Sequence, residues 1–348
     1  MNPFEPANLS PLPRAPLECA LPYILTWDDL RPVLPDFDEG RSARAQAFVS
    51  YEKQGIIGGS NSCILTLQYP TGENQLRSET IFIKHAENPE KAEAEKYQFI
   101  ASHKVPTPHL LAVIHKGGGE IMLLEFLPTI GINFHSSSEV NSLLHLVAQV
   151  NSIQNPMELF SSPPRDPQPE SNAAFDGQVE VALTEMSNDR TLPVKIDIPR
   201  WFDAYLIAQK ASNSMPLAVN HGEFYFQQVG WAQRGAARQL VIFDLETMSL
   251  RPRFTDIANV LYPLAMYTGR DQVELFEVYL DRLHQLSQLE LDIDEALHEL
   301  RLLRVTESCY SLPWLVDAAR QPDDMVMHHL LSMTTNGLFN DLLPLELL

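Results

Sequence analysis

The residues best suited to chemistry lie in a polar loop and at the end of the apolar run that follows it. The loop reads His221-Gly222-Glu223 and continues to Gln228. After a predicted hairpin turn, the apolar run Leu240–Phe243 ends at Asp244. Carboxylate and carboxamide oxygens at such positions can bind a divalent cation, and a carboxylate can accept a proton. Phosphoryl transfer needs both functions, so the pattern favours that chemistry.

A lysine upstream of the loop could bind phosphate. Lys84 ends an apolar, strand-like run, and acidic residues follow on the next predicted helix. A carboxylate there can orient a lysine toward the phosphates of a nucleotide. We prefer Glu93 for this role because it shares a helical face with Tyr97 and Ile100, and Glu95 is the alternative.

A glycine turn precedes Lys84 along the chain. Gly58, Gly59, Ser60 and Asn61 separate two strand-like runs. Residues without bulky side chains let the backbone approach a phosphate closely. By itself this turn is typical of an ordinary hairpin. A functional interpretation rests on its place in a series along the chain, in which the turn is followed by the lysine, the polar loop and the acid.

That order of parts resembles the aminoglycoside phosphotransferase and choline kinase group, a protein-kinase-like family. The family's catalytic loop reads His-Gly-Asp, then an Asn five residues on, then, after a hairpin, Ile-Asp followed by a further acid. Here the corresponding residues are His221-Gly222-Glu223, Gln228 and Ile242-Phe243-Asp244-Leu245-Glu246. Asp256 also resembles a downstream aspartate of the family that is structural. The resemblance spans roughly residues 50 to 260.

The resemblance implies a nucleotide site for ATP. The backbone from Gly58 to Asn61 would lie over the phosphates, and Lys84 would contact the α and β phosphates with Glu93 orienting it. The segment Leu124–Leu127, which includes Glu125 and Leu127, resembles the hinge whose backbone pairs with adenine.

The resemblance also implies a magnesium site and a base. Asp244 and Gln228 would bind Mg²⁺, and Glu223 would stand where the family has its catalytic base. The acceptor would be a small molecule with a hydroxyl group, and its identity is beyond the sequence.

Two positions depart from the family pattern. Glu223 replaces the expected Asp and Gln228 replaces the expected Asn. Each side chain is one methylene longer, and a displacement of about 1 Å can cost about 100-fold in rate. The carboxylate and the carbonyl oxygen are retained. The sequence favours an active kinase because Lys84 and Asp244, which have no simple substitutes, are also present. The alternative is a pseudokinase of the same fold that acts as a binding or scaffold protein.

The elements around these residues predict an α+β, protein-kinase-like two-lobed fold. Residues 1–46 are predicted as an N-terminal extension, residues 47–127 as a nucleotide-binding N-lobe, and residues 128–348 as a larger, mainly helical C-lobe with the catalytic loop and the acceptor-binding helices. The N-lobe should hold a five-stranded antiparallel sheet and one helix. Its predicted elements are the strands Ala47–Ile57, Ser62–Tyr69, Glu79–His85, His109–His115 and Glu120–Leu127 and the helix Glu90–Ser102. The Pro-, Ser- and Asn-rich segment 161–189 is predicted as a long loop or insertion.

Composition narrows the class of partner. The 348 residues carry 25 Lys plus Arg against 45 Asp plus Glu, for a formal net charge of -20. Such a charge repels nucleic acid and anionic membrane surfaces, so neither is expected as a partner. It either solubilises the surface or attracts a cationic substrate. The oligomeric state stays open.

Cysteine usage and hydropathy suggest the compartment. Cys19, Cys63 and Cys309 are few and far apart, which fits neither a disulfide framework nor a zinc site. The N-terminus lacks a basic start followed by an apolar stretch, and no apolar run reaches transmembrane length. We therefore expect a soluble cytoplasmic protein.

Overall fold

The computed structural model describes residues 7–8, 25–33, 46–51, 60–70, 76–86, 93–153, 173–188, 197–320 and 325–342. The strands in chain order are β1 (Ala7–Asn8), β2 (Gln46–Tyr51), β3 (Ser60–Pro70), β4 (Leu76–Ala86), β5 (Leu110–Lys116), β6 (Gly119–Glu125), β7 (Thr129–Ile130), β8 (Leu217–Asn220), β9 (Val229–Arg234), β10 (Ala237–Ile242) and β11 (Ser249–Pro252). The α-helices are α1 (Trp27–Leu30), α2 (Ala94–Ser102), α3 (Ser137–Asn151), α4 (Ala173–Ser187), α5 (Ile198–Ser212), α6 (Thr255–Thr268), α7 (Gln272–Ser287), α8 (Ile293–Ala319) and α9 (Met325–Leu342).

The chain divides into two compact units. The first, here called the sheet unit, comprises residues 6–132 and 227–246. The second, the helical unit, comprises residues 1–5, 133–226 and 247–348. The expected combination of a sheet-bearing part and a largely helical part is confirmed. The hairpin of β9 and β10 belongs to the sheet unit, so this unit is built from two separate stretches of chain.

The larger sheet of the sheet unit is antiparallel, with strand order β2-β3-β4-β6-β5. Strand β4 lies in the middle and is hydrogen-bonded on both edges, to β3 and to β6. One face of the sheet is buried over a core that includes Leu65, Leu67, Ile81, Ile83 and Leu123. Burying each such side chain contributes about 1.5–3 kcal/mol, so this core fixes the register of β4 and with it the direction of every side chain on the strand.

A second sheet of the same unit was not predicted. It has the order β1-β7-β9-β10, and all its pairs are antiparallel. The hairpin of β9 and β10 matches the predicted hairpin after the polar loop. Strands β1 and β7 have two residues each, which is too short for an alternating pattern to be visible in the sequence.

The helical unit packs its helices around a core rich in aromatic and aliphatic side chains. Val179, Leu183, Trp201, Tyr205 and Leu312 are among the buried residues of this core. Strands β8 and β11 pair with each other in the same unit. None of the described helices combines the length and the apolar character that crossing a bilayer demands.

The prediction of a loop or insertion over residues 161–189 was wrong for its second half. Helix α4 occupies Ala173–Ser187, and residues 161–172 lie outside the described part of the chain. Val179, Leu183 and Met186 form a buried stripe at helical spacing, and Phe175 packs against the same core. The polar residues before and after this stripe obscured it in the sequence.

Candidate active site

Lys84 is the centre of a cluster of carboxylates in the sheet unit. Its Nζ donates to Glu93 Oε2 at 2.6 Å and to Asp244 Oδ1 at 2.6 Å. Glu246 Oε2 lies 3.9 Å from the same nitrogen. The three acids come from two places, the start of helix α2 and the segment after β10, so the fold assembles a site that is dispersed along the chain.

The strand register explains why a lysine is buried here. Lys84 lies on the central strand β4, opposite Ser62 of β3 and Met122 of β6. It is only 6% exposed. A lysine is rarely so buried unless it is paired, and the two ion pairs with Glu93 and Asp244 satisfy that condition.

Glu93 and Glu95 have different surroundings. Glu93 is the N-cap residue of α2, is 1% exposed, and directs its carboxylate to Lys84. Glu95 lies in the first turn of the helix and is exposed. The residue chosen from the helical face is therefore the one that contacts the lysine.

Helix α2 also holds the segment that carries Asp244. The backbone N–H of Asp244 donates to the hydroxyl of Tyr97 at 3.1 Å, and the Lys96 ammonium donates to the backbone oxygen of Glu246. Tyr97 is 2% exposed, so this contact is made away from water. Asp244 has a φ of 64°, a left-handed conformation that aspartate tolerates better than most residues. The helix thus anchors a locally unfavourable backbone.

Burial and charge act against each other at this cluster. Burial raises the pKa of Glu93 to about 7, although the adjacent Lys84 ammonium acts to lower it. Burial acts to lower the pKa of Lys84, but the charges of Glu93 and Asp244 outweigh it and raise that pKa above its usual range. The lysine therefore stays charged, and the carboxylates near it exceed it in number.

This excess of carboxylates suits a divalent cation. Glu93, Asp244 and Glu246 each offer one oxygen, and these oxygens lie within 4.8 Å of one another. Within the described part of the chain, Glu93 Oε1 is buried without a hydrogen-bond partner. Hard cations such as Mg²⁺ prefer oxygen ligands, so the donor chemistry fits the predicted metal. The sequence prediction did not include Glu246 among the metal ligands.

Gln228, the other predicted metal ligand, is joined to the acidic segment by a backbone hydrogen bond. Its carbonyl accepts a hydrogen bond from the backbone N–H of Phe243 at 3.0 Å. The bond joins the residue before β9 to the residue before Asp244. A metal-binding role for the Gln228 side chain stays a prediction.

The predicted hinge residues are well anchored. Glu125 accepts from Arg234 Nη1 at 2.6 Å and from the backbone N–H of His109 at 3.0 Å. Partial burial acts to raise the pKa of Glu125, but the Arg234 guanidinium and the His109 N–H keep it below its usual range. Leu127 is buried against Ala232 and Val241. Binding of adenine by this segment stays a prediction.

The predicted glycine turn is only partly within the described residues. Gly58 and Gly59 lie outside them. Ser60 and Asn61 begin strand β3, where they are paired with Ala86 and His85 of β4. Binding of phosphate by this turn stays a prediction.

Glu223, the predicted base, belongs to the helical unit, in the loop after β8. This loop is fixed by Asp256, whose carboxylate accepts from the backbone N–H groups of His221 at 2.7 Å and Gly222 at 3.0 Å. Thr247 Oγ1 donates to the His221 carbonyl at 2.9 Å. The backbone immediately before Glu223 is therefore fixed by hydrogen bonds at the N–H groups of His221 and Gly222 and at the carbonyl of His221.

A second layer of buried polar groups fixes Asp256 itself. Its backbone N–H donates to Asn220 Oδ1 at 3.1 Å. Asn151 Nδ2 donates to the Val219 carbonyl at 2.8 Å, and the Tyr279 hydroxyl donates to Asn151 Oδ1 at 2.8 Å. Burial raises the pKa of Asp256, while the two backbone donors of the loop act in the opposite direction. The contacts fit the structural role implied for this aspartate.

Several solved kinase structures are similar to this chain in fold. No family model and no curated protein sequence matches the chain. Among solved structures, the choline kinase from Cryptosporidium parvum is 12% identical, covers 90% of this chain and 93% of its own, and superposes with a TM-score of 0.53. The ethanolamine kinase of Plasmodium vivax is 13% identical over 85% of this chain and 82% of its own, with a TM-score of 0.50. A spectinomycin phosphotransferase, solved with ADP and spectinomycin, is 12% identical over 86% of this chain and 94% of its own, with a TM-score of 0.51.

The chain has the fold of the small-molecule kinases. The aminoglycoside phosphotransferase and choline kinase resemblance seen in the sequence is thereby confirmed at the level of fold. Identities of 12% and 13% carry no information on the acceptor.

The close packing around Gly222, in the loop before Glu223, can be tested directly. Gly222 has a φ of 93°, and a Cβ there would lie 2.6 Å from the Thr247 carbonyl oxygen. We expect Gly222→Ala to lower the free energy of unfolding by at least about 2 kcal/mol, because it adds a steric clash to a left-handed backbone. Chemical denaturation monitored by circular dichroism measures the loss.

Gly235→Ala is the matched control for that substitution. Gly235 has a φ of 62°, and a Cβ there would meet nothing within 4 Å. The control carries only the backbone penalty, about 1 kcal/mol. Equal losses for the two variants would contradict the close approach of Thr247 to Gly222.

Proposed function

We propose that the protein is an ATP- and Mg²⁺-dependent phosphotransferase that phosphorylates a hydroxyl group of a small molecule. The single observation that carries the proposal is the buried Lys84 ammonium held between Glu93 and Asp244 in a small-molecule kinase fold. A buried lysine of this kind is what phosphoryl transfer uses to bind the phosphates of the nucleotide.

The proposed roles follow the resemblance. Lys84 binds the α and β phosphates, and Glu93 keeps its ammonium directed at them. Asp244 and Gln228 bind Mg²⁺, which neutralises phosphate charge when it is bound. Glu246 lies close to Asp244, which supports including Glu246 among the metal ligands.

The remaining roles complete a nucleotide site and a reaction. The backbone from Gly58 to Asn61 covers the phosphates, and the backbone of the segment with Glu125 and Leu127 pairs with adenine. Glu223 accepts the proton of the attacking hydroxyl. A carboxylate within hydrogen-bond reach of a hydroxyl can accept its proton as a general base. The spectinomycin phosphotransferase of similar fold, solved with ADP, supports the use of a nucleotide.

Calorimetric titration with ATP, with and without Mg²⁺, tests the proposal. We expect binding that requires Mg²⁺, and we expect Asp244→Asn to weaken it about tenfold or more, because the variant removes a charged oxygen ligand. Asp317→Asn is the control, since that side chain is 74% exposed on helix α8.

Two outcomes would argue against the proposal. Absence of any binding of ATP by the wild-type protein would exclude an ATP-dependent kinase. Binding of ATP without transfer to any of a panel of hydroxyl-bearing acceptors would instead favour a pseudokinase, the alternative suggested by Glu223 and Gln228.

A further inference from the structure

The start of helix α2 lacks the usual local cap. An N-cap side chain ordinarily accepts a hydrogen bond from a backbone N–H of the first turn. Glu93 occupies the N-cap position but makes no such bond. Its carboxylate is directed at Lys84 instead, at 2.6 Å. The first N–H groups of the helix therefore need an acceptor from elsewhere in the fold.

Glu120 supplies that acceptor. Its Oε1 accepts from the backbone N–H of Glu93 at 3.2 Å and from that of Ala94 at 3.3 Å. Glu120 is 4% exposed, so both bonds are made away from water. A carboxylate at a helix N-terminus is further favoured by the helix dipole. Glu120 is thus a tertiary cap of α2, contributed by strand β6.

The position of Glu120 in the sheet links this cap to the lysine. Glu120 lies opposite Ala86 on β4, and Lys84 lies on the same strand opposite Met122 of β6. Glu93 is consequently held at two points by two adjacent strands. Its backbone N–H is bonded to β6 through Glu120, and its carboxylate is bonded to β4 through Lys84.

We propose that Glu120 is a positioning residue of the nucleotide site, which holds Glu93 in contact with Lys84 by capping helix α2. The inference rests on the proposed function for its effect on ATP. It has a second consequence that needs no nucleotide, because the cap should strengthen the ion pair of Lys84 and Glu93 in the free protein as well.

The first test measures affinity for ATP in saturating Mg²⁺ by calorimetry. Glu120→Ala should weaken binding about tenfold, as is common when a supporting residue behind a ligand-binding group is lost. Glu120→Gln should restore most of the affinity, because its amide oxygen can accept from the same two N–H groups. In a Glu93→Ala background, Glu120→Ala should have no further effect. An equal loss in both backgrounds would overturn the positioning role.

A control separates positioning from general loss of stability. Ser136 caps helix α3 by accepting from the backbone N–H of Glu139 at 3.4 Å. Ser136→Ala should lower the urea midpoint of unfolding and leave the affinity for ATP unchanged. A loss of affinity in Ser136→Ala as large as that in Glu120→Ala would also overturn the proposal.

The second test uses urea unfolding without nucleotide. Glu120→Ala should shift the midpoint more in the wild-type protein than in Lys84→Met or Glu93→Gln backgrounds, because only the wild type has the complete ion pair to lose. Equal shifts in these backgrounds would overturn the inference. If the wild type binds no ATP but the shifts differ, the proposed function fails and the positioning of Glu93 by Glu120 stands.

Discussion

Lys84→Met should lower the free energy of unfolding by about 3–5 kcal/mol at pH 8, because removal of one partner leaves a buried carboxylate without its cation. The side chains of Lys84 and Glu93 are 8% and 1% exposed, so water replaces little of the lost interaction. Asp244, the other partner, is 46% exposed and can be solvated. The loss is therefore expected to arise mainly at Glu93.

The same variant should be less destabilised at pH 5. Burial already raises the pKa of Glu93 to about 7, and removal of the Lys84 charge, which acts to lower that pKa, should raise it further. Between the unfolded pKa, about 4.3, and the folded pKa, the folded state binds more protons than the unfolded state. Stability then falls as pH rises through this window, up to about pH 7 in the wild type and further in the variant, so the two proteins diverge above about pH 7. At pH 5 the carboxyl of the folded variant is neutral and needs no cation.

Urea denaturation of metal-free protein at pH 5 and pH 8 measures this prediction. Glu93→Gln added to Lys84→Met is the matched control, because it removes the unpaired charge and keeps the size of the side chain. The double variant should regain stability at pH 8 and show little of the pH dependence. A loss in Lys84→Met that is the same at both pH values would contradict the buried ion pair.

The lysine cluster shows how much of a site local pattern can predict. An apolar run that ends at Lys84 and a helical face with Glu93 are features of short segments, and the sequence displays them directly. Glu93 and Glu95 lie on different faces of the predicted helix. The apolar residues on the same face as Glu93 were enough to prefer it over Glu95. The prediction placed Glu93 within the helix, whereas it is the N-cap residue.

The supporting contacts could not be predicted in the same way. Tyr97 was expected only as an apolar position, yet its hydroxyl accepts from the Asp244 N–H across 147 residues of sequence. Glu120 was expected only as a strand residue, and it caps a helix 26 residues earlier. The residue type of a polar side chain does not reveal whether that side chain is buried or solvated. Only the folded chain shows which partner is near.

Backbone conformation was the other feature outside the reach of sequence pattern. The left-handed conformation of Asp244 has no local signal, because aspartate is common in ordinary turns and strand ends. Gly222 was noted as part of the loop motif. The close approach of Thr247, which requires a glycine there, depends on chain 25 residues later that folds back onto the loop.

Asp256→Ala should have a similarly large effect in the helical unit. The substitution leaves the backbone N–H groups of His221 and Gly222 buried without an acceptor, and each orphaned donor costs about 1–3 kcal/mol. We expect the free energy of unfolding to fall by about 3–5 kcal/mol, measured by urea denaturation. Asp256→Asn should lose less, because one carbonyl oxygen remains to accept from one donor.

Asp292→Ala is the control that separates the effect of burial on stability from the effect of losing two hydrogen bonds. Asp292 is the N-cap of α8 and also accepts from two backbone N–H groups, those of Asp294 at 3.0 Å and Glu295 at 3.1 Å, but in an exposed setting. Water can satisfy these donors after the substitution, so the expected loss is about 1 kcal/mol. Equal losses at Asp256 and Asp292 would mean that water reaches the loop before Glu223. The loop would then not be held by a buried network, and the carboxylate proposed as the base would have no fixed position from which to accept a proton.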